Sequence, residues 1–237
     1  MSRRNPFGDR GCIRDPERFF NRQELLADIF AELRKGSSLS LVGEKQVGKS
    51  SLLAMIQHHG PKALGRSVEQ FISIDMQVIR NEHEFFRALS DQLGFSNTLS
   101  GYDLSVALEG KRVVVCLDEI EKMVNRQCFS GEERMQLRGN ANGPDSPLTL
   151  VIASRSPLAS LFEDNPHFTS PLADLCSTQR VGPFSQATSD AFLLQRLQGN
   201  AVAFTAKQRQ WLHEQSQGHP GRLQEAAADL YRQLAPS

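Results

Sequence analysis

The residues with the clearest chemical potential lie in Gly43–Ser50, which reads G-x-x-x-x-G-K-S. Glycine at both ends of the run lets the backbone turn tightly and come close to an anion. The amides of such a loop, and the N-terminus of a following helix, direct N–H groups toward phosphate oxygens. Lys49 is suited to neutralise the outer phosphates, and the Ser50 hydroxyl is suited to a magnesium ion. The segment therefore predicts a site for a magnesium-bound phosphate ester.

This segment stands in the context that a phosphate-binding loop, or P-loop, requires. The apolar stretch Ser38–Val42 predicts a strand before it, and an amphipathic helix is predicted after it. The alternative is a chance glycine-rich turn beside a lysine, but strand, spacing, Lys-Ser pair and helix all agree on a P-loop. The residues expected to contact a nucleotide here are Gly43, Glu44, Lys45, Gln46, Val47, Gly48, Lys49, Ser50 and Ser51.

A second chemically capable pair, Asp118 and Glu119, follows the apolar run Val113–Leu117. A continuous apolar run predicts a strand covered on both faces of a parallel sheet, and ligands bind at the carboxyl ends of such strands. Asp118 is expected to hold magnesium, directly or through water, and Glu119 to polarise an attacking water. The alternative is that the two carboxylates only cap a following helix, which the P-loop disfavours.

Two further features bear on the nucleotide and on the reaction. The strand Phe71–Asp75 lies in sequence between the P-loop strand and the Asp-Glu strand, and no Asn-Lys-x-Asp segment is present. Both observations favour ATP over GTP. Arg155 directly follows the predicted strand Leu148–Ser154, where a guanidinium is suited to stabilise transferring charge. The alternative for Arg155 is an arginine that only caps a loop.

Composition narrows the class of protein. The chain has 237 residues, 39% of them hydrophobic, and 27 basic residues balance 27 acidic ones. A neutral chain has no global field for a polyanion, so DNA binding would need a local basic patch. No apolar run is long enough to span a membrane, and the N-terminus lacks the apolar core of a signal peptide. The four cysteines are scattered, which favours free thiols and a cytoplasmic location.

Strands and helices alternate along most of the chain, which predicts right-handed crossovers and a doubly wound parallel sheet. We expect an α/β P-loop fold with five strands, its core formed by residues 1–184. Only helices are predicted afterwards, so residues 185–237 are expected to form a C-terminal helical lid subdomain. The weakest predicted strand is Thr178–Val181. The helix after the P-loop is expected to fade near His58–Pro61, and residues 1–21 to run irregularly over the surface.

The chain resembles the AAA+-related STAND signalling ATPases and the similar archaeal-type and origin-recognition ATPases. The resemblance covers most of the sequence. The segments that carry it are Phe19-Phe20-Asn21-Arg22, Gly43–Ser50, Leu117-Asp118-Glu119, Ser154-Arg155 and Gly218-His219-Pro220.

The resemblance implies roles for residues outside the P-loop. In the family a phenylalanine-glycine-arginine motif lies beside the adenine, which implies that role for Phe19 and Arg22, with Asn21 in place of the glycine. A Gly-x-Pro motif closes the lid over the nucleotide, which implies that Pro220 lies against the base. Related proteins sense the γ-phosphate with an arginine at the start of this helix, and Arg222 occupies that position.

The expected function is therefore an ATP-binding, magnesium-dependent ATPase, slow or stimulated by a partner. Its nucleotide state would control oligomerisation or engagement of a protein partner or effector on a separate chain, away from any membrane. The alternative is a DNA-associated AAA+ ATPase of the transposition-regulator or replication-loader type. It ranks second because no winged-helix segment is expected after residue 234 and because the net charge is zero. A third hypothesis is a scaffold that binds a nucleotide without hydrolysing it, which the presence of Glu119 disfavours.

Overall fold

The computed structural model describes residues 5–8, 11–162 and 172–235. Its central element is a five-stranded sheet in the order β2-β3-β4-β1-β5, with every neighbouring pair parallel. The predicted parallel α/β sheet is therefore confirmed. The strands are β1 (Ser38–Val42), β2 (Phe71–Asp75), β3 (Val113–Asp118), β4 (Leu148–Ser154) and β5 (Cys176–Arg180).

Helices connect these strands and then continue alone to the end of the described chain. The α-helices are α1 (Gln23–Arg34), α2 (Lys49–Leu64), α3 (Glu82–Gln92), α4 (Gly101–Leu108), α5 (Glu132–Asn140), α6 (Leu158–Leu161), α7 (Gln186–Leu197), α8 (Ala206–Ser216) and α9 (Pro220–Leu234). Short 3-10 turns occupy Val68–Gln70, Met76–Val78 and Ile120–Val124. None of the helices in these described ranges is both long and apolar enough to cross a membrane.

The sheet order brings the carboxyl ends of β1, β4 and β3 to one edge. β4 lies between the other two, with Val42 of β1 in register with Ser154 of β4. The Gly43 N–H donates to the Ser154 carbonyl at 3.2 Å, which extends this pairing into the start of the P-loop. Parallel strands end at the same edge, so Gly43, Ser154 and Asp118 begin their loops there.

The prediction that α2 fades near His58–Pro61 was wrong, because the helix continues to Leu64 with Pro61 inside it. Gly60 is buried, and a Cβ there would lie 2.3 Å from the Phe71 ring. The glycine thus lets the helix backbone pack closely against the start of β2. Proline in a helix costs about 3 kcal/mol, and tertiary packing overrides that local preference.

The described residues form two compact units. The first, called the sheet unit, comprises residues 22–43 and the described part of 52–180. Its core packs apolar side chains of β2, β3 and β4 against those of α3, α4 and α5, including Phe85, Leu117 and Ile152. Burial, with a smaller contribution from the Asp118 carboxylate, raises the pKa of the Cys116 thiol to about 12. Cys116 is therefore a neutral core residue.

The second, called the helical unit, comprises the described parts of residues 1–21, 44–51 and 181–237. Helices α7, α8 and α9 surround an aromatic core, and Phe7 lies inside it with 2% of its surface exposed. Its ring stacks on that of Phe204 at 5.7 Å, and the Gln224 amide donates to the Phe7 carbonyl at 3.4 Å. The expectation that residues 1–21 run over the surface was therefore wrong for Phe7.

Candidate nucleotide-binding site

The P-loop leaves β1 at Gly43 and enters α2 at Lys49. Two of its residues, Gln46 (φ 63°) and Gly48 (φ 108°), have positive φ. Left-handed residues interspersed in a loop turn successive N–H groups toward one side and create an anion-binding concavity. Val47, 2% exposed, anchors the loop by its side chain. The local backbone is thus bent as phosphate binding requires.

The first turn of α2 carries Lys49, Ser50 and Ser51. Lys49 is 8% exposed, and its Nζ donates to the Glu44 carbonyl at 2.9 Å. The ammonium therefore lies against the loop backbone, where a phosphate oxygen would be a stronger, charged acceptor. The Ser51 hydroxyl accepts from the N–H of Ile13 at 2.9 Å, so this side chain anchors the N-terminal segment.

The first turn of α9 packs on the P-loop within the helical unit. The His219 Nε2 lies 2.9 Å from the Lys45 carbonyl oxygen. The Arg222 guanidinium donates to the Glu44 carboxylate at 3.1 Å, an exposed ion pair. The sequence predicted roles for Pro220 and Arg222 on this turn but none for His219. A histidine directly before a proline at a helix start was the available signal, because that position caps the helix.

Gly218 determines how the chain enters α9. Its φ is +69°, and a Cβ at this position would lie 2.1 Å from the Phe184 carbonyl oxygen. The Phe184 N–H in turn donates to the Gly218 carbonyl at 2.8 Å. Both the conformation and the close approach therefore require glycine.

The segment Phe19–Arg22 has an aromatic anchor and a left-handed backbone. The Phe20 ring lies edge-on to Phe192 at 5.4 Å, while Phe19 is half-buried. Asn21 (φ 59°) and Arg22 (φ 70°) both have positive φ. Asparagine adopts this conformation more readily than most residues. Asn21 can therefore take the position of the glycine in the phenylalanine-glycine-arginine motif that this segment resembles. Burial lowers the pKa of the Arg22 guanidinium.

At the carboxyl edge of the sheet unit, Glu119 follows β3 in a left-handed conformation (φ 53°). Its N–H donates to the Asp118 carboxylate at 3.0 Å, and its own carboxylate accepts from Arg155 at 3.0 Å. The Arg155 N–H donates to the Glu121 carboxylate. A glutamate in left-handed backbone is unusual, and such residues cluster at functional sites. The structure thus brings Asp118, Glu119 and Arg155 together.

The donor set expected for magnesium consists of the Ser50 hydroxyl and the Asp118 carboxylate. Both are hard oxygen donors, and Mg²⁺ is bound in proteins by one or two carboxylates together with substrate phosphates and waters. Asp118 lies half-buried at the end of β3, with one oxygen held by the Glu119 N–H. The chemistry of these residues therefore fits magnesium.

Neither the family models nor the curated proteins compared with the sequence contain a match. Solved structures do share its architecture. The Walker-type ATPase of Pyrococcus abyssi aligns with a TM-score of 0.71 and 20% identity, over 96% of this chain and 71% of that one. The fold is that of the P-loop ATPases.

Two proteins of Aeropyrum pernix share the fold at lower identity. The ORC2 protein, solved in ADPNP–ADP complexes, aligns with a TM-score of 0.61 and 14% identity, over 97% of this chain and 65% of that one. The ORC1 protein, solved in complex with DNA, aligns with a TM-score of 0.64 and 15% identity, over 92% and 62%. The chain thus spans less than two thirds of either Aeropyrum protein.

Proposed function

We propose that this chain binds ATP and hydrolyses it with magnesium, as a nucleotide-controlled switch of the AAA+ and STAND kind. The observation that carries the proposal is the loop of residues 43–48, which joins the buried strand β1 to the start of α2. Its two positive-φ residues and the enclosed Lys49 are the features that a triphosphate requires. The fold shared with P-loop ATPases supports the same conclusion.

The phosphate end of ATP would be held by charge and by backbone amides. In this proposal Lys49 exchanges the Glu44 carbonyl for phosphate oxygens, while the amides of residues 43–51 donate to them. Ser50 and Asp118 would hold magnesium. When bound, the metal neutralises the charge that develops on the β- and γ-phosphates.

Hydrolysis would proceed by in-line attack of water on the γ-phosphorus, with cleavage of the bond to the β–γ bridging oxygen. Glu119 orients the water and accepts its proton, and ADP leaves with inorganic phosphate. Arg155 orients the Glu119 carboxylate and adds positive charge near the transferring group. The other Glu119 oxygen remains to accept a hydrogen bond from the water.

Residues outside the P-loop would contact the adenine and form the lid. We assign Phe19, Arg22 and Pro220 to the adenine side and residues 185–237 to the lid. Arg222 would leave Glu44 for the γ-phosphate when ATP binds. The exposure of this ion pair supports that exchange, because exposed pairs contribute about 0–1 kcal/mol and open at little cost.

As a switch, the chain would change its assembly or partner with nucleotide state. Light scattering with ADP and with a slowly hydrolysed ATP analogue tests this directly. A larger assembly formed only with the triphosphate supports an oligomerising switch. An unchanged mass in both states restricts the proposal to a protein partner on a separate chain.

The second candidate function is a DNA-associated AAA+ ATPase. The observation that favours it is the fold shared with the Aeropyrum ORC1 protein, which was solved in complex with DNA. ATPase activity stimulated by DNA, and lost steeply as salt rises, would favour this function. ATP turnover that does not change when DNA is added would favour the switch that acts on a protein partner.

Titration calorimetry with ATP and ADP tests the proposed function itself. We expect Lys49→Ala to weaken ATP binding about 100-fold, because a charge-assisted contact to phosphate is worth about 3 kcal/mol. Lys62→Ala removes the same charge from the exposed last turn of α2 and serves as the matched control. Equal ATP affinity in wild type and Lys49→Ala would refute the P-loop assignment.

A further inference from the structure

His219 is a buried histidine whose two ring nitrogens contact two different backbone groups. It is 5% exposed. Its Nδ1 accepts from the Arg222 N–H at 3.3 Å, which caps the N-terminus of α9. An imidazole nitrogen that accepts carries no proton, so the proton of the neutral ring lies on Nε2. Nε2 therefore donates to the Lys45 carbonyl of the P-loop at 2.9 Å.

This second contact determines the orientation of one peptide in the P-loop. The carbonyl of Lys45 and the N–H of Gln46 belong to the same trans peptide, so they point in opposite directions. With the carbonyl held by His219, the Gln46 N–H is turned away from α9. Gln46 has φ 63°, a left-handed conformation of the kind from which anion-binding nests are built.

The neighbouring packing restricts this peptide further. A Cβ on Gly221 would lie 2.9 Å from the Gln46 Cβ and 3.3 Å from the Gln46 carbonyl oxygen. The first turn of α9 is thus in van der Waals contact with the same P-loop residue. Hydrogen bond and packing together connect α9 to the Lys45–Gln46 peptide from one side.

We propose that His219 is a positioning residue for nucleotide binding, which fixes the Lys45–Gln46 peptide so that the Gln46 N–H faces the phosphates. This inference rests on the proposed function, because it assumes that the loop binds a nucleotide. It assigns His219 two separable roles. The Nδ1 contact stabilises α9, and the Nε2 contact prepares the P-loop.

Two substitutions separate these roles. In His219→Asn, the short amide retains an acceptor near the position of Nδ1 and keeps the cap, but it cannot reach Lys45. In His219→Gln, the longer amide places its N–H₂ near the position of Nε2 and keeps the donor, but it loses the cap. The first variant thus removes the P-loop contact, and the second removes the helix cap.

The experiment measures ADP affinity by calorimetry and the midpoint of thermal unfolding for both variants. We expect His219→Asn to unfold near the wild-type temperature and to bind ADP about tenfold more weakly. We expect His219→Gln to unfold at a lower temperature and to bind ADP within about twofold of wild type. Thr205→Ala, which removes the capping box of α8, is the control for a lost cap without a P-loop contact.

Gly221→Ala provides a second variant that leaves His219 intact. Its added methyl group would push the first turn of α9 away from Gln46, so ADP binding should again weaken about tenfold. This variant keeps the inference testable even if a substitution at position 219 prevents folding.

The measured affinities distinguish a positioning role of His219 from a role in helix capping alone. Weak ADP binding by His219→Asn with near-wild-type binding by His219→Gln supports the positioning role. Wild-type affinity in His219→Asn, or weaker affinity in His219→Gln than in His219→Asn, would overturn it and restrict His219 to capping. If His219 variants do not fold, unchanged ADP affinity in Gly221→Ala overturns it. Wild type that binds no nucleotide refutes the proposed function and this inference with it.

Discussion

The guanidinium of Arg155 donates to the carboxylate of Glu119 at 3.0 Å, between the loops that follow the neighbouring strands β4 and β3. The pair is restrained on both sides. The Glu119 N–H is held by Asp118, and the Arg155 N–H is held by the Glu121 carboxylate. The backbone of the residue assigned to water activation is therefore restrained by Asp118, and its carboxylate is oriented by a cation from the loop that follows the adjacent strand.

If Glu119 accepts the proton of the attacking water, Glu119→Gln should retain ATP and lose turnover. General-base catalysis contributes about 10²–10⁴-fold, so we expect phosphate release to fall at least about 100-fold while ATP affinity stays within about twofold. Glu109→Gln, at an exposed glutamate after α4, is the control. A fully active Glu119→Gln enzyme would remove this residue from the mechanism.

Arg155→Ala tests whether the ion pair assists the reaction or restrains it. We expect turnover to fall about tenfold with ATP affinity unchanged, because Glu119 loses its orientation and the site loses a positive charge. Single-turnover phosphate release and calorimetry separate these quantities, with Arg87→Ala on the exposed side of α3 as control. Faster turnover would instead identify the pair as a restraint on Glu119.

The magnesium concentration that phosphate release requires should be set by Asp118. Chelation with EDTA is expected to abolish phosphate release by wild type, and Asp118→Asn should raise the half-saturating magnesium concentration about tenfold or more. Asp75 provides a matched control, because it ends the neighbouring strand β2 in register with Asp118 and caps a turn that asparagine also caps. Identical magnesium titrations for wild type and Asp118→Asn would contradict the assignment.

Two glycines with left-handed backbone should differ sharply in their tolerance of alanine. At Gly218 an added Cβ meets the Phe184 carbonyl, whereas at Gly199 (φ +75°) nothing lies within 4 Å. Gly199→Ala should lower the free energy of unfolding by about 1–2 kcal/mol from backbone strain alone. Gly218→Ala should cost at least about 3 kcal/mol because the clash adds to that strain. Urea unfolding measures both, and equal costs would contradict the close approach.

Phe7→Ala tests whether the N-terminal segment is part of the core of the helical unit. Removing a buried phenylalanine costs about 3–5 kcal/mol, and here the stacking contact with Phe204 is lost as well. Tyr102→Ala, at a ring 82% exposed on α4, should cost less than about 0.5 kcal/mol. Chemical unfolding of both variants makes the comparison, and similar midpoints would show that Phe7 contributes little.

Much of the fold was predictable because its local patterns are strong. The strands β1, β3 and β4 were predicted from short segments rich in apolar residues, since strands covered on both faces bury most of their side chains. The prediction was weakest at β5, placed at Thr178–Val181 but found at Cys176–Arg180. That edge strand is largely exposed, so its sequence has no such pattern.

The buried strands, the P-loop and the Asp-Glu pair were predictable from the sequence alone, because each depends on neighbouring residues in a short segment. Tertiary structure alone decided the contacts across long separations. Arg155 meets Glu119 because β4 lies beside β3, and His219 meets Lys45 because α9 packs on the P-loop. Phe7 is likewise buried by residues that lie far from it in sequence. Such contacts depend on how helices, strands and loops pack together. Local sequence propensity does not specify which distant residue will contact a given side chain.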